Sequence, residues 1–432
     1  MFLGQSDLTD SGKLGQGAYS EVWRARQRLP NGLHRPVIVR YMPVVANLHA
    51  FGLEKEIYRR ALRENLTGIP HLLEVRRVGV GYLQIFQDAF GASLREHLSR
   101  GPLRVDEATQ LLLSVLRTLR VLNGWGLIHS DLKPSNLIWD ASLQMGRVID
   151  LTDAYKPGPA YHYEYYIGDK RYAPPERMQG WLEVSSQVFM LGLTLWETLS
   201  GAPPFDVSDE RPFLNMAQLC WRTLDMASLA DAPLWLQRLI AHMVHPEAAK
   251  RPSFDQIESV LQTQQCWPVP EDGRGQTALP QDEEEARRQL GAAGYRYPRF
   301  REAVEMDEQG AKTTAKRLYS VLANEGYSRA QNNLGNLLIQ EGRHTHALAL
   351  FKAAFKHGNP YAAYNLGRAY AAGRGVEKDQ NTARHYFEWA ARRGHLQAKY
   401  RLADLLRKEG RSAAADFWHE VAQRQEKGAY AS

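Results

Sequence analysis

Leu127-Ile128-His129-Ser130-Asp131-Leu132-Lys133-Pro134-Ser135-Asn136-Leu137-Ile138 is a tight polar loop set between apolar residues. It places an Asp, a Lys two residues on and an Asn three residues beyond that in one short turn. Each of these is also explained by ordinary turn chemistry. What flanks the loop gives it weight. Asp150 follows in Val148-Ile149-Asp150-Leu151, and a glycine loop, Leu14-Gly15-Gln16-Gly17-Ala18-Tyr19-Ser20-Glu21-Val22, lies upstream. Glycines let backbone amides approach phosphate oxygens closely. In this order the three segments imply a site that handles phosphoryl groups.

The bulk properties bound the class. At 432 residues the chain has room for two or three domains. Hydrophobic residues make up 44% and charged residues 24%, the balance of a soluble globular protein. Cys220 and Cys266 make no disulfide framework and show no metal-ligand spacing, which favours a reducing compartment. The N-terminus has no basic stretch followed by an apolar run, and no segment reaches the roughly 20 apolar residues of a membrane span. A cytoplasmic location is expected. From Arg296 onward there are 23 Lys/Arg against 14 Asp/Glu, and 31 against 34 in the rest. No aromatic-basic motif accompanies this charge, so a solvated helical surface is expected rather than a nucleic-acid site.

Taken in order, the chain begins with strands. The segment around Gly15 reads as strand, glycine turn, strand, and Pro36-Val37-Ile38-Val39-Arg40-Tyr41 is an apolar strand carrying a cation. Phe51 to Leu62 has helical spacing with Glu54 and Glu56 near its start. Tyr82-Leu83-Gln84-Ile85-Phe86 is a further strand, running into a hinge at Gln87-Asp88-Ala89-Phe90-Gly91. Helices then dominate: Val105 to Trp125, Ser185 to Ser200, Trp235 to Val244 and Phe254 to Leu261.

From about Ser11 to Gln262 these motifs resemble a eukaryotic-like Ser/Thr protein kinase domain of divergent, bacterial type. Gly15, Gly17 and Val22 match the glycine-rich loop, and Val37-Ile38-Val39-Arg40 lies where the family has Val-Ala-Ile-Lys. Glu54, with Glu56 as runner-up, matches the helical acid that pairs with that cation. His129-Ser130-Asp131 resembles His-Arg-Asp, Asp150-Leu151-Thr152 resembles Asp-Phe-Gly, and Ala173-Pro174-Pro175-Glu176 resembles Ala-Pro-Glu with Arg251 as the partner of Glu176. The resemblance implies an α+β bilobal kinase-like fold, ATP and Mg2+ as cofactors, and a role for each residue. Asp131 would accept the proton of a substrate hydroxyl and Lys133 would meet charge on the transferring group. Asn136 and Asp150 would supply oxygen ligands to magnesium. Gly15, Gly17, Val22, Arg40, Glu54, Gln87, Ala89 and Ile138 would hold the nucleotide.

Several positions depart from that pattern. Arg40 replaces the strand lysine, and the two cations are not interchangeable at a tight site. Ile38 replaces an alanine, Ser20 the third glycine, Thr152 the glycine after Asp150, Gln187 a bracing Asp, and Asp169 stands at a usual Thr. Ser130 replaces the Arg that usually binds a loop phosphate, and between Asp153 and Glu176 there are six Tyr but no Ser or Thr. Activity without prior loop phosphorylation is therefore expected; a phosphate required on the purified active protein would refute it.

After the kinase-like segment, 9–265, residues 266–294 carry Pro268, Pro270, Pro280 and the acidic run Asp282-Glu283-Glu284-Glu285, and read as a linker. Residues 295–428 repeat. Ala330-Gln331-Asn332-Asn333-Leu334-Gly335 recurs as Ala362-Ala363-Tyr364-Asn365-Leu366-Gly367 and more loosely from Ala398, while Ala315, Ala347, Ala383 and Ala415 align at spacings of 32, 36 and 32. This resembles Sel-like repeats, relatives of the tetratricopeptide class, and implies an all-α solenoid that binds a protein partner. The expected function is an ATP-dependent Ser/Thr protein kinase with a recruiting tail. Its alternative is a pseudokinase scaffold that binds nucleotide weakly or not at all; a small-molecule kinase is a more distant third.

Overall fold

The computed structural model describes residues 6–16, 20–43, 47–88, 91–151, 154–155, 158–159, 171–203, 205, 211–223, 225–271 and 274–427. The chain divides into two compact units. One comprises residues 1–90 with 338–355 and 359–432, the other 91–337 with 356–358.

The first unit opens with five antiparallel strands: β1 (Leu8–Gln16), β2 (Glu21–Arg28), β3 (His34–Met42), β4 (Leu72–Val78) and β5 (Gly81–Gln87), in the order β1-β2-β3-β5-β4. The β-branched run Val37-Ile38-Val39 suits a pleated surface. Its alternation sends Val37 and Val39 into a core with Leu8, Ala25, Leu83 and Ile85. Between β3 and β4 lies helix α1 (Leu48–Arg63), which buries Ala50, Phe51, Glu54, Ile57, Tyr58 and Ala61 along one face. It begins three residues before the apolar pattern does, because the Asn47 side chain accepts from the Ala50 N–H at 3.0 Å and caps it.

In the second unit β6 (Ala92–Ser93) is followed by α2 (Leu94–Leu98) and α3 (Val105–Gly124), and then by the short strands β7 (Ile128–His129), β8 (Leu137–Asp140) and β9 (Met145–Val148), with β6, β8 and β9 in one sheet. Helix α3 buries Leu111, Leu112, Val115, Leu116, Leu119 and Leu122, the stripe its periodicity predicts. Among the described residues the α-helices α4 (Val184–Ser200), α5 (Pro212–Trp221), α6 (Leu234–Met243) and α7 (Phe254–Thr263) follow. Among the described residues no helix is long and apolar enough to cross a membrane.

The segment read as a linker contains a helix, α8 (Glu283–Ala292). Asp282 caps it by accepting from the Glu285 N–H at 2.8 Å, and the acids that follow suit the positive end of a helix dipole. The run Asp282 to Glu285 is thus a helix start. Glu283 also accepts from the Phe213 and Leu214 N–H groups, both at 2.9 Å, and closes the N-terminus of α5.

From α8 the described chain is a run of nine helices, continuing with α9 (Arg296–Glu308), α10 (Lys312–Asn324), α11 (Ser328–Gln340), α12 (His344–Lys356), α13 (Pro360–Ala372), α14 (Gln380–Arg392), α15 (Leu396–Lys408) and α16 (Ser412–Glu426). Ala315, Ala347, Ala383 and Ala415 are all fully buried, as are the larger Tyr319, Phe351 and Phe387 almost entirely. Small residues permit the close crossings. A Cβ added to Gly367 would come within 2.7 Å of the Phe387 ring. In the longer unit Gly375 turns with φ +73°, where an added Cβ would lie 2.7 Å from the His344 carbonyl carbon.

Candidate active site

The hairpin of β8 and β9 assembles the centre of the site. Leu137 pairs with Val148, and the Ile149 N–H donates to the Asn136 carbonyl at 3.0 Å, so Asn136 and Asp150 meet at one end of the hairpin. Lys133 Nζ lies 2.7 Å from Asp131 Oδ2. Asn136 Nδ2 donates to the Asp131 carbonyl at 2.8 Å and to Asp131 Oδ2 at 3.1 Å. One carboxylate oxygen thus gathers both neighbours. With the Asn136 nitrogen committed to Asp131, its amide oxygen and the Asp150 carboxylate are hard donors of the kind magnesium takes. Asp150 has φ +58°, a left-handed conformation costly for most side chains and tolerated best by Asn and Asp. Such strain persists where the surroundings hold it and where function uses it.

His129 ties the loop to the hairpin. It is fully buried, its Nδ1 accepts from the Asp131 N–H at 3.2 Å and its Nε2 lies 3.1 Å from the Ile149 carbonyl. This requires the neutral tautomer with the proton on Nε2. Burial holds the imidazole below its ordinary pKa, which keeps it in that form.

Gln187, in α4, stands beneath the loop and is fully buried. Its Oε1 accepts from the His129 N–H at 3.0 Å, and its Nε2 donates to Asn123 Oδ1 at 3.0 Å. A neutral amide therefore braces the loop by accepting from its backbone. Arg177 Nη1 donates to the Ser130 carbonyl at 3.0 Å. Asn123 and Arg177 escape sequence reasoning: neither sits in a motif, and their partners are 64 and 47 residues away. Below the site Arg251 grips Glu176 bidentately at 2.7 and 2.9 Å and donates to the His245, Ser185 and Pro246 carbonyls. A buried guanidinium with this many acceptors is fully served.

The remaining candidates, apart from Ile138, belong to the first unit. The structure brings Arg40 and Glu54 together: Arg40 Nη1 lies 2.8 Å from Glu54 Oε1, and Glu54 is completely buried. Gln84 Nε2 donates to Glu54 Oε2 at 3.4 Å, and Arg40 Nε donates to Ser20 Oγ at 3.3 Å. Glu56 instead pairs with Arg59 on the exposed side of α1. Gly15 pairs in register with Val22, and Val22 with Arg40, so the glycine turn leads directly to the cation. Gln87 ends β5 with its side chain exposed. Ile138 pairs with Ser93 and Arg147 in the second unit, and a Cβ on Gly91 would come within 2.7 Å of its Cγ2. Gly17, Ala89, Thr152 and Asp169 lie outside the described residues.

The family model described as the protein kinase domain matches residues 8–263. A membrane-associated tyrosine- and threonine-specific cdc2-inhibitory kinase of Drosophila melanogaster is 26% identical over 250 residues, 57% of this chain and 45% of the relative. The serine/threonine-protein kinase pkn2 of Myxococcus xanthus is 27% identical over 254 residues, 55% of this chain and 30% of the relative. The serine/threonine-protein kinase PkaA of Streptomyces coelicolor is 31% identical over 212 residues, 44% of this chain and 38% of the relative. The chain thus spans less than half of the length of each of these relatives. With the family model covering more than half of its 432 residues, the chain belongs to the protein kinase domain family.

Proposed function

We propose that the chain is an ATP- and magnesium-dependent protein kinase that phosphorylates Ser or Thr hydroxyls of a protein and works in the cytoplasm. Residues 9–265 are the catalytic part, 266–294 the connection and 295–428 the repeats that recruit a protein partner. One observation carries the reading: Lys133 and Asn136 converge on a single oxygen of Asp131. Asp131 accepts the proton of the acceptor hydroxyl, whose oxygen bonds to the γ-phosphorus as the bond to the β–γ bridging oxygen breaks with its electron pair. Lys133 meets charge on the transferring group. Asn136 Oδ1 and Asp150 would hold the magnesium, which when bound neutralises nucleotide phosphate charge. Arg40, fixed by Glu54, serves the phosphates that stay behind. Serine/threonine specificity is supported by the names of the two bacterial relatives.

The test is transfer of labelled phosphate from ATP to a protein acceptor, followed by phosphoamino-acid analysis. Wild type is expected to yield phosphoserine or phosphothreonine. Asp131→Asn, which keeps the shape and loses the base, is expected to be roughly 100-fold slower or worse. If wild type transfers nothing while still binding its partner, the scaffold reading favoured by Arg40 takes its place.

A further inference from the structure

The last repeat helices pack inside the same unit as the sheet and α1, and contacts among the described residues tie the two together at three places. The first is the start of α1. Asn47, the cap of that helix, forms an antiparallel backbone bridge with Arg393, at the end of α14. Arg393 Nη2 donates to His49 Nε2 at 3.2 Å, and its guanidinium lies over the Trp389 ring, 3.7 Å from the centroid. Leu48 packs on the repeat core of Ala390, Ala398, Leu402 and Trp418. The second place is the turn between β4 and β5. Val80 and Val421 are buried against each other with Phe417 beside them, and the Arg77 guanidinium stacks 4.5 Å from the Phe417 ring centroid. The third is the end of β3, where Arg424 Nη1 donates to the Pro43 carbonyl at 3.4 Å.

These places are not scattered over the sheet. Helix α1 carries Glu54 and β3 carries Arg40, so both partners of the buried ion pair sit on elements whose ends the repeats hold. Glu54 lies two helical turns from Asn47, about 10 Å along the same rigid rod. Moving the start of α1 therefore moves Glu54. A buried carboxylate displaced from the Arg40 guanidinium is expensive, so the pair should either stay made or part cleanly.

We propose that the terminal repeats are a built-in brace for this ion pair, with Arg393 and Phe417 as positioning residues for phosphoryl transfer. The proposal rests on the kinase reading for its catalytic consequence, but not for the brace itself. Arg393 fixes where α1 begins, Phe417 fixes the turn behind it, and the Arg40–Glu54 geometry follows from both.

The experiment compares full-length wild type with Arg393→Ala, Phe417→Ala, the double variant, and Phe417→Leu, which keeps the apolar contact. Hydrogen exchange is followed at α1 and at α3, the latter reporting global folding. Binding of a fluorescent ATP analogue with magnesium, and KM against kcat, are measured on the same samples. The double variant is expected to exchange roughly tenfold faster in α1 at unchanged rates in α3. Its KM for ATP is expected to rise roughly tenfold, with a smaller change in kcat and recovery in Phe417→Leu. Unchanged exchange in α1 overturns the brace. Faster exchange in α1 with unaltered nucleotide affinity overturns the positioning role. If wild type proves inactive, the kinase reading fails, while exchange and nucleotide affinity still decide the brace.

Discussion

Replacing Gln187 by Leu removes two hydrogen bonds and little volume, so its cost can be worked from the contacts. The His129 N–H loses its acceptor at 3.0 Å inside a fully buried site. An unsatisfied buried donor costs about 1–3 kcal/mol. Asn123, only partly buried, loses a donor at 3.0 Å but regains water, for about 0.5–1 kcal/mol. The sum is roughly 2–4 kcal/mol, and a domain of this size shifts its melting point by about 2–4 °C per kcal/mol. A drop of roughly 4–16 °C is expected by circular dichroism. The loop itself should move as well, because His129 passes its position to Asp131 through the 3.2 Å bond from the Asp131 N–H. Small misplacement of a reacting group costs up to about 100-fold. Initial rates at saturating ATP should therefore fall roughly 10- to 100-fold, with KM for ATP little changed. Gln187→Glu is the control. The isosteric carboxyl keeps an acceptor for His129, and burial raises its pKa, so the folded state holds its proton more tightly than the unfolded chain does. Its stability should be near wild type at low pH and decline as pH rises above the ordinary carboxyl value of about 4.3. If Gln187→Leu melts within about 1 °C of wild type and keeps its rate within twofold, the loop is supported elsewhere and the reasoning fails.

Three further outcomes follow from the same contacts. Arg40→Lys can keep one bond to Glu54 but loses the fork that also reaches Ser20, so KM for ATP should rise about 5- to 10-fold; a gain in activity would show that arginine is a handicap there. Arg251→Met takes the bidentate cation away from the Glu176 carboxylate and should cost about 3–5 kcal/mol in urea unfolding, while Glu176→Gln with Arg251→Met together should cost less. His395 caps α15 through Nδ1, accepting from the Ala398 N–H at 3.1 Å, and burial pushes its pKa down to about 4. The unfolded chain binds this proton near 6.5, so stability should be complete above that value and be lost, by roughly 3 kcal/mol, as pH falls toward 4. His395→Asn, a cap that does not titrate, should flatten that part of the profile.

What the chain discloses on paper depends on how local the physics is. Helix α3 was legible because burial of Leu111, Leu112, Val115 and their successors is written in a 3.6-residue period. The repeats were legible because stacking identical units forces the same small and large residues back at fixed spacing. Helix α8 is hidden in the composition because prolines and a charge run look like a linker, although Asp282 followed by three Glu is also how a helix begins. The contacts of Arg393 with His49 and of Phe417 with Arg77 span more than 300 residues, and no period or motif marks either.

Gln187 shows why residue type misleads where geometry decides. In the motif an aspartate occupies its place, and its loss reads as a missing charge beneath the catalytic loop. The position, however, has one physical task, which is to present an oxygen to the His129 N–H from a rigid buried helix. An amide performs it without the desolvation cost of a buried charge, provided its own NH2 finds an acceptor, and Asn123 is that acceptor. At Ser130 the side chain is not the one the motif calls for, and the loop backbone is held there by Arg177, which donates to the Ser130 carbonyl. Residues that take part in a reaction are constrained by what they are, since a proton acceptor or a metal ligand cannot be exchanged for another chemistry. Residues that hold them are constrained by where their atoms lie, and several side chains can put an oxygen in one place. Departures among the second kind are therefore weak evidence against activity, and the decisive departure is Arg40, which falls on a group proposed to serve the nucleotide phosphates.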